Sequence, residues 1–266
     1  MPLIQIRNLS KAYQRGGQRI AVLSALSLDV EEGEFVGLMG PSGSGKSTLL
    51  NLIAGIDKPD AGTLLVAGVD ITQLSETDLA HWRGTHVGFI FQFYNLMPVL
   101  TAVENVELPL MLTHLSRRER RERAEFTLEL VGLADRMTHQ PSELSGGQQQ
   151  RVAVARSLVN NPAIILADEP TGNLDTRSSV EVMQIFQRLN TEQGITVIFV
   201  THESDIAEHT RRVIRVRDGV IARDEPVEHQ RIANPDDYPT QDQLEAEDEA
   251  RRAAASANLV TTGVSE

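Results

Sequence analysis

The sequence contains no cysteine. Disulfides and thiolate metal sites are excluded, and the chain suits a reducing compartment. It also has no apolar run near the ~18 residues that a membrane-spanning helix needs. The opening Met1-Pro2-Leu3-Ile4-Gln5-Ile6 lacks the basic and apolar regions of a secretory signal. The expectation is a cytoplasmic protein whose membrane role, if it has one, comes through a partner. An excess of positive charge is missing too. The net charge is −12 over 266 residues, and half of it falls in 226–266, which carries nine acids and three arginines. Neither portion is basic, so no nucleic-acid face is expected. Internal repeats and sustained heptads are absent as well.

What is present begins with Gly40-Pro41-Ser42-Gly43-Ser44-Gly45-Lys46-Ser47, which fits the phosphate-binding pattern G-x-x-x-x-G-K-[ST]. The apolar run 34–39 before it reads as a buried strand, and the run 48–55 after it as a helix closed by a glycine. Glycines let the loop turn its N–H groups inward around phosphate oxygens, and the helix N-terminus adds a positive dipole end. Lys46 is expected to reach the β- and γ-phosphates and Ser47 to ligate Mg²⁺.

Further strands are expected over 3–7 and 20–30, with Tyr13 in a loop between them beside Gly16 and Gly17. A turn at 59–62 leads to a short hairpin over 63–71. Ser75 to Asp78 and Ser116 to Glu119 read as helix caps. Val87 to Phe91 reads as a buried strand ending at Gln92. The loop Phe93-Tyr94-Asn95-Leu96-Met97-Pro98 is unusually rich in large apolar groups; it either packs under the helical block or waits for a partner helix. From about 100 to 160 the period is helical, and the basic run 117–123 is a solvated helix face because glutamates offset its arginines. Buried strands follow at 163–169, ending in Asp168-Glu169, and at 196–200, ending in Thr201-His202, with a last hairpin over 213–221. Strands alternating with helices imply a largely parallel α/β core sheet.

Several residues at strand ends could carry chemistry. Asp168 could hold a metal shell while Glu169 orients or deprotonates water. Gln92 could touch both metal and water, although a lone loop glutamine is more often only solvated. His202 could meet a γ-phosphate, although a lone histidine is more often structural. Leu144-Ser145-Gly146-Gly147-Gln148 is a second glycine-rich helix start, suited to another anion.

The order of these five features resembles the ATP-binding subunit of an ABC transporter, over about residues 1–225. The resemblance implies an α/β P-loop NTPase cassette with a RecA-like core, an N-terminal antiparallel β region and a helical subdomain inserted at about 95–160. It makes Gly40 to Ser47 the Walker A loop, with Thr48 beside it in the nucleotide site. Gln92 becomes the Q-loop, Ser145, Gly146, Gly147 and Gln148 the signature, and Asp168-Glu169 Walker B. Asn173-Leu174-Asp175 is then the D-loop, His202 the switch histidine, and Tyr13 the aromatic that stacks on adenine. The implied metal ligands are Ser47, Gln92 and Asp168, and the implied ligands are ATP and Mg²⁺. The segments 91–98, 104–106 and 171–175 are similar to the macrolide-export and lipoprotein-release (MacB/LolD-like) branch, and much of this is shared with the FtsE-like cell-division branch. The resemblance further implies a head-to-tail homodimer that closes on two ATPs and drives a separate integral-membrane permease, with or without a periplasmic adaptor, from the cytoplasmic face of the membrane.

Other classes fit less well. DNA-repair and chromosome ATPases place a long coiled coil between Walker A and Walker B, but here Ser47 and Asp168 stand only about 120 residues apart. Ribosome-binding factors of this type carry two cassettes per chain, and this chain has one. A module with dead chemistry would not keep Lys46, Asp168, Glu169 and His202 together. Residues 226–266 are expected to be a mobile or marginally helical acidic tail, with helix-favouring composition over 243–255.

Overall fold

The computed structural model describes residues 2–240 together with Gln243. Two sheets share the work. The first is antiparallel and contains β1 (Ile4–Arg15) and β2 (Gln18–Val30), which meet in a tight turn at Gly16-Gly17. Tyr13 lies inside β1, paired with Ile20, and not in a loop. The hairpin is longer than its apolar alternation suggests because its outer half is exposed and carries no buried period to read.

The chain then crosses into the second sheet with β3 (Phe35–Met39), buried at every position, and α1 (Lys46–Ile53). It returns to the first sheet for β4 (Ala61–Val66) and the short β5 (Val69–Asp70), giving the order β2-β1-β4-β5. Ala61 and Gly62, expected in a turn, already belong to β4. Next come α2 (Glu76–His86), capped by the Ser75 side chain, and β6 (Val87–Ile90).

The helical block follows with α3 (Ala102–Glu107), α4 (Arg117–Leu130) and α5 (Gly146–Leu158). Each of the three begins with a capping box, at Thr101/Glu104, Ser116/Glu119 and Ser145/Gln148. In such a box a side chain at each end satisfies a backbone donor that the first helical turn leaves unpaired. One apolar face of each helix turns inward through Val103, Val106, Ala124, Leu128, Val152 and Ala155, all buried.

The rest completes the second sheet: β7 (Ile164–Asp168), α6 (Thr176–Gln193), β8 (Thr196–Val200), the short α7 (Ser204–Ala207), β9 (Arg212–Arg217) and β10 (Val220–Pro226). Its order is β10-β9-β3-β8-β7-β6, parallel throughout except for the β9–β10 hairpin. Crossover helices cover a parallel sheet on both faces, so its strands are apolar on both sides; β3 and β8 show this at every position.

The folded body does not stop near 225. Residues 227–240 run back over α6. Ala233 is buried there, and Tyr238 packs against the main core. Arg177 of α6 donates to the carbonyls of Pro235 and Tyr238, and Gln187 donates to Arg231 and accepts from the N–H of Ala233. Composition hid this because the segment is held by side chains of α6 and carries no apolar run of its own. The rest of the expected tail, including the helix-favouring run, lies outside the described residues apart from Gln243.

Candidate active site

Parallel pairing fixes where the functional residues emerge. β3, β6, β7 and β8 run in one direction, so their C-terminal ends share one edge of the sheet. Ligands of open α/β sheets bind at that edge. It releases the phosphate loop after Met39, Gln92 just beyond β6, Asp168-Glu169 from β7 and His202 just beyond β8.

The loop 40–47 is shaped by close backbone approach. A Cβ on Gly40 would lie 2.1 Å from the Val216 carbonyl oxygen and 2.9 Å from Ser44 Oγ, at a φ of +149°. Only glycine fits. The first helical hydrogen bond of α1 runs from Leu49 N–H to the Gly45 carbonyl. The N–H groups of Lys46, Ser47 and Thr48 therefore have no partner within the helix and point out of its N-terminus. Lys46 is buried and donates to the carbonyls of Gly40 and Pro41, at 2.8 and 2.9 Å. Burial pulls its pKa down, and the charges of Glu169 and Asp168 oppose that shift. Ser44 Oγ is buried without a hydrogen-bond partner. Free N–H donors, a desolvated ammonium and an orphaned hydroxyl suit an anionic ligand with many oxygens.

Beside the loop, Ser47 Oγ donates to Asp168 Oδ1 at 2.9 Å. Burial raises the Asp168 pKa; the Ser47 hydrogen bond lowers it, the Glu169 charge adds to the rise and Lys46 counters it. A hydroxyl and a carboxylate oxygen side by side form a hard-oxygen pair of the kind that Mg²⁺ accepts.

Glu169 is the centre of a second cluster. Its backbone adopts φ of 47°, the left-handed region, and its N–H donates to the Val200 carbonyl. That bend separates its side chain from Asp168, the last residue of β7. Gln92 Nε2 donates to Oε2 at 3.2 Å, while His202 Nδ1 lies 3.3 Å from Oε1. Asn173 reaches the same corner, donating to the Gln92 carbonyl. Phosphate loop, Asp168, Glu169, Gln92 and His202 are thus brought together.

Tyr13 reaches this site from β1. Its hydroxyl donates to Asp57 Oδ2 at 2.6 Å; burial and that hydrogen bond raise its pKa, while nearby Thr48 acts to lower it. Ser145 and Gln148 bond to each other at the start of α5 and, among the described residues, make no hydrogen bond to the phosphate loop. Gly146 and Gly147 are close-approach positions. Added Cβ atoms would fall 2.8 Å from the Tyr94 hydroxyl and 2.6 Å from Ser178 Oγ.

The apolar loop after Gln92 is divided between packed and exposed side chains. Leu96 packs on the core, and Tyr94 turns its hydroxyl to Gly146. Phe93 is 68% exposed, Met97 49% and Val99 73%. Arg156 holds the loop by donating to the carbonyls of Tyr94 and Asn95. Sequence patterns missed the Tyr94–Gly146 contact and the residues around Tyr13, since neither involves a fixed spacing.

Residues 23–172 match the family described as ABC transporter. The chain belongs to the ABC transporter family. Its fold is that family's ATP-binding cassette, and its enzyme class is ATPase. An uncharacterized ABC transporter ATP-binding protein of Bacillus subtilis, YknY, is 51% identical over 219 residues, covering 82% of this chain and 95% of that one. The macrolide export ATP-binding/permease protein MacB of Bdellovibrio bacteriovorus is 50% identical over 84% of this chain, which spans only 34% of that protein. Among solved structures, the dimeric structure of MJ0796, a bacterial ABC transporter cassette, has a TM-score of 0.79 at 46% identity and covers 84% of this cassette and 98% of that chain. A dimeric post-hydrolysis state of MJ0796, bound to ADP and Pi, has a TM-score of 0.78 at 45% identity.

Proposed function

We propose that this cassette is the ATP-hydrolysing subunit of a transporter of the MacB/LolD-like branch, working with a separate membrane permease in export, lipoprotein release or force transmission. The observation that carries the chemistry is the arrangement around Glu169. Both its carboxylate oxygens are engaged, by Gln92 and by His202, while the neighbouring Asp168 is engaged by Ser47. Two adjacent carboxylates thus hold two different tasks.

Gly40 to Thr48 bind the triphosphate through backbone N–H groups and Lys46. Ser47, Asp168 and Gln92 would hold Mg²⁺, which would supply neutralisation of charge on the phosphates. Glu169 takes a proton from, or orients, the attacking water. His202 orients Glu169 and stands ready for the γ-phosphate. Tyr13 stacks on adenine. Ser145 to Gln148 complete the site of a second copy, a reading supported by the exposed Ser145 at the start of α5 and by the dimeric assemblies of MJ0796.

Among the described residues no helix is long and apolar enough to cross a membrane. The relative MacB carries ATP-binding and permease functions under one name, of which this chain spans the smaller part. The MacB name supports a permease partner, through which the cassette would sit peripherally at the cytoplasmic face of the inner membrane. Exposed Phe93, Met97 and Val99 supply an apolar docking face next to Gln92. The test is affinity purification of the chain from detergent-solubilised membranes, followed by an ATPase assay of the isolate. An integral-membrane protein recovered in fixed ratio, with ATPase activity, is expected. Recovery of nucleic acid or ribosomes in its place would sink the reading.

A further inference from the structure

Tyr13 is clamped from two sides by residues that no motif marks. Asp57, three residues past the end of α1's last turn at Ala54, accepts the phenol hydroxyl on Oδ2 at 2.6 Å. Its other oxygen is also committed. Oδ1 accepts from Lys11 Nζ at 2.6 Å and from the Lys58 N–H at 2.7 Å. The carboxylate therefore cannot rotate without losing three hydrogen bonds. Lys11 in turn donates to the Lys58 carbonyl and stands 5.0 Å from the centre of the Tyr13 ring. That is within cation–π range. One edge of the ring is fixed by a charge-assisted hydrogen bond and one face by an ammonium, yet 41% of the residue stays exposed.

We propose that Asp57, together with Lys11, is a positioning residue for base recognition: it holds the Tyr13 ring as a preformed stacking platform. The inference rests on the reading that Tyr13 stacks on adenine. The physical reason is preorganisation. An unheld tyrosine gives up rotamer freedom when a base lands on it, which subtracts from affinity. A half-exposed phenol can satisfy its hydroxyl with water, so a hydrogen bond to a carboxylate already held from two other sides serves orientation more than solvation. The loop carrying Asp57 does not depend on the Tyr13 contact for its own attachment. Asp60 accepts from the Ala12 N–H, and the Lys58 carbonyl accepts from Lys11. Thr48, in the first turn of α1, is near enough to the Tyr13 phenol to act on its pKa.

The test uses the full chain and two probes, β,γ-imido-ATP and inorganic tripolyphosphate, which has the phosphates and no base. Tyr13→Ala is expected to weaken the nucleotide and leave tripolyphosphate unchanged. Tyr13→Phe, which keeps the ring and frees it from Asp57, and Asp57→Ala should each weaken the nucleotide about three- to ten-fold, the range for losing one prearranged side chain, again without effect on tripolyphosphate. Tyr13→Phe combined with Asp57→Ala should be no worse than either alone. If Tyr13→Ala leaves nucleotide affinity intact, the stacking reading fails and takes the proposal with it. If Tyr13→Ala weakens binding but Tyr13→Phe does not, or if Asp57→Ala weakens both probes equally, stacking stands and the positioning role is overturned. Should Asp57→Ala not fold, Tyr13→Phe decides alone.

Discussion

Glu169 sits in a backbone conformation that favours glycine, with φ of 47°. Side chains held in sparsely populated backbone regions are sustained by their surroundings and gather at functional sites. Here the surroundings are the Val200 carbonyl behind it and Gln92 and His202 on its two oxygens. Glu169→Gln keeps that shape and removes the ability to take a proton. Hydrolysis should fall by about two to four orders of magnitude, the worth of a general base, while ATP binding persists. Turnover assays beside equilibrium binding check this, and near-normal turnover would remove Glu169 from the chemistry. Residues of this kind were legible in the sequence because each ends an apolar run: Asp168, Glu169, Gln92 and His202 follow strands whose direction the fold fixes. Asp57 and Lys11 were not legible. They meet Tyr13 across 44 and 2 residues of chain, and neither spacing carries a signature.

At the level of elements, the helix starts were the most readable. Ser75, Ser116 and Ser145 all cap helices through side chains bonded to a backbone N–H three residues on. Tyr13 was misplaced because β1 is bulged and half exposed, so its apolar alternation fades before the strand ends. The start of α5 makes no hydrogen bond to the phosphate loop of its own chain among the described residues, and its action on a second copy is directly testable. Ser145→Arg puts bulk at an exposed helix start and should leave ATP binding by the monomer nearly unchanged. ATP-driven dimerisation, measured by light scattering in a Glu169→Gln background, should disappear. Unchanged dimer formation would exclude a role in trans. The loop after β6 gives a second element-scale outcome. Leu96 packs into the core, so substituting it would confuse folding with docking. Phe93→Ala with Met97→Ala removes exposed side chains only and should shift the melting temperature little, since such surface changes are usually within about 0.5 kcal/mol. Retention of the permease in a detergent pull-down should drop. A variant that melts far lower yet still holds its permease would assign the pair to folding.

For the whole molecule, the segment 227–240 closes a circuit that sequence composition did not suggest. It crosses α6 and reaches the short α7, which follows His202 by only two residues at its start. Gln187, buried in α6, donates to the carbonyls of His209 and Arg231, Gln230 donates to the His209 carbonyl, and the Arg231 N–H donates to Glu208. Ending the chain at Pro226 would strip Gln187 of two partners, the Arg231 carbonyl and the Ala233 N–H. A loss of about 1–3 kcal/mol is expected for these two hydrogen bonds, at about 0.5–1.5 kcal/mol each, which for a chain of this size lowers the melting temperature by several degrees. The same circuit makes stability depend on pH. His209 is only 2% exposed; its Nδ1 meets the Asp205 carbonyl, and its Nε2 has no hydrogen-bond partner. Burial pushes its pKa below the ordinary 6.5, the charge of Arg231 adds to that shift, and the Asp205 carbonyl and carboxylate oppose it. The folded protein therefore refuses a proton that the unfolded chain accepts. In the window between the depressed folded value and about 6.5, the unfolded state binds more protons, so stability falls as the pH falls. Asp168, whose folded pKa is raised, acts with the opposite sign and at the acid end, so the contribution of His209 is read as a difference between variants. His209→Gln should flatten the fall in melting temperature from pH 7.5 to pH 5.5 relative to the natural chain. The chain ending at Pro226 should show a flatter profile as well, since loss of the segment removes Arg231 and lets water reach the ring. A profile as steep in both variants as in the natural chain would show that the acid sensitivity has another source.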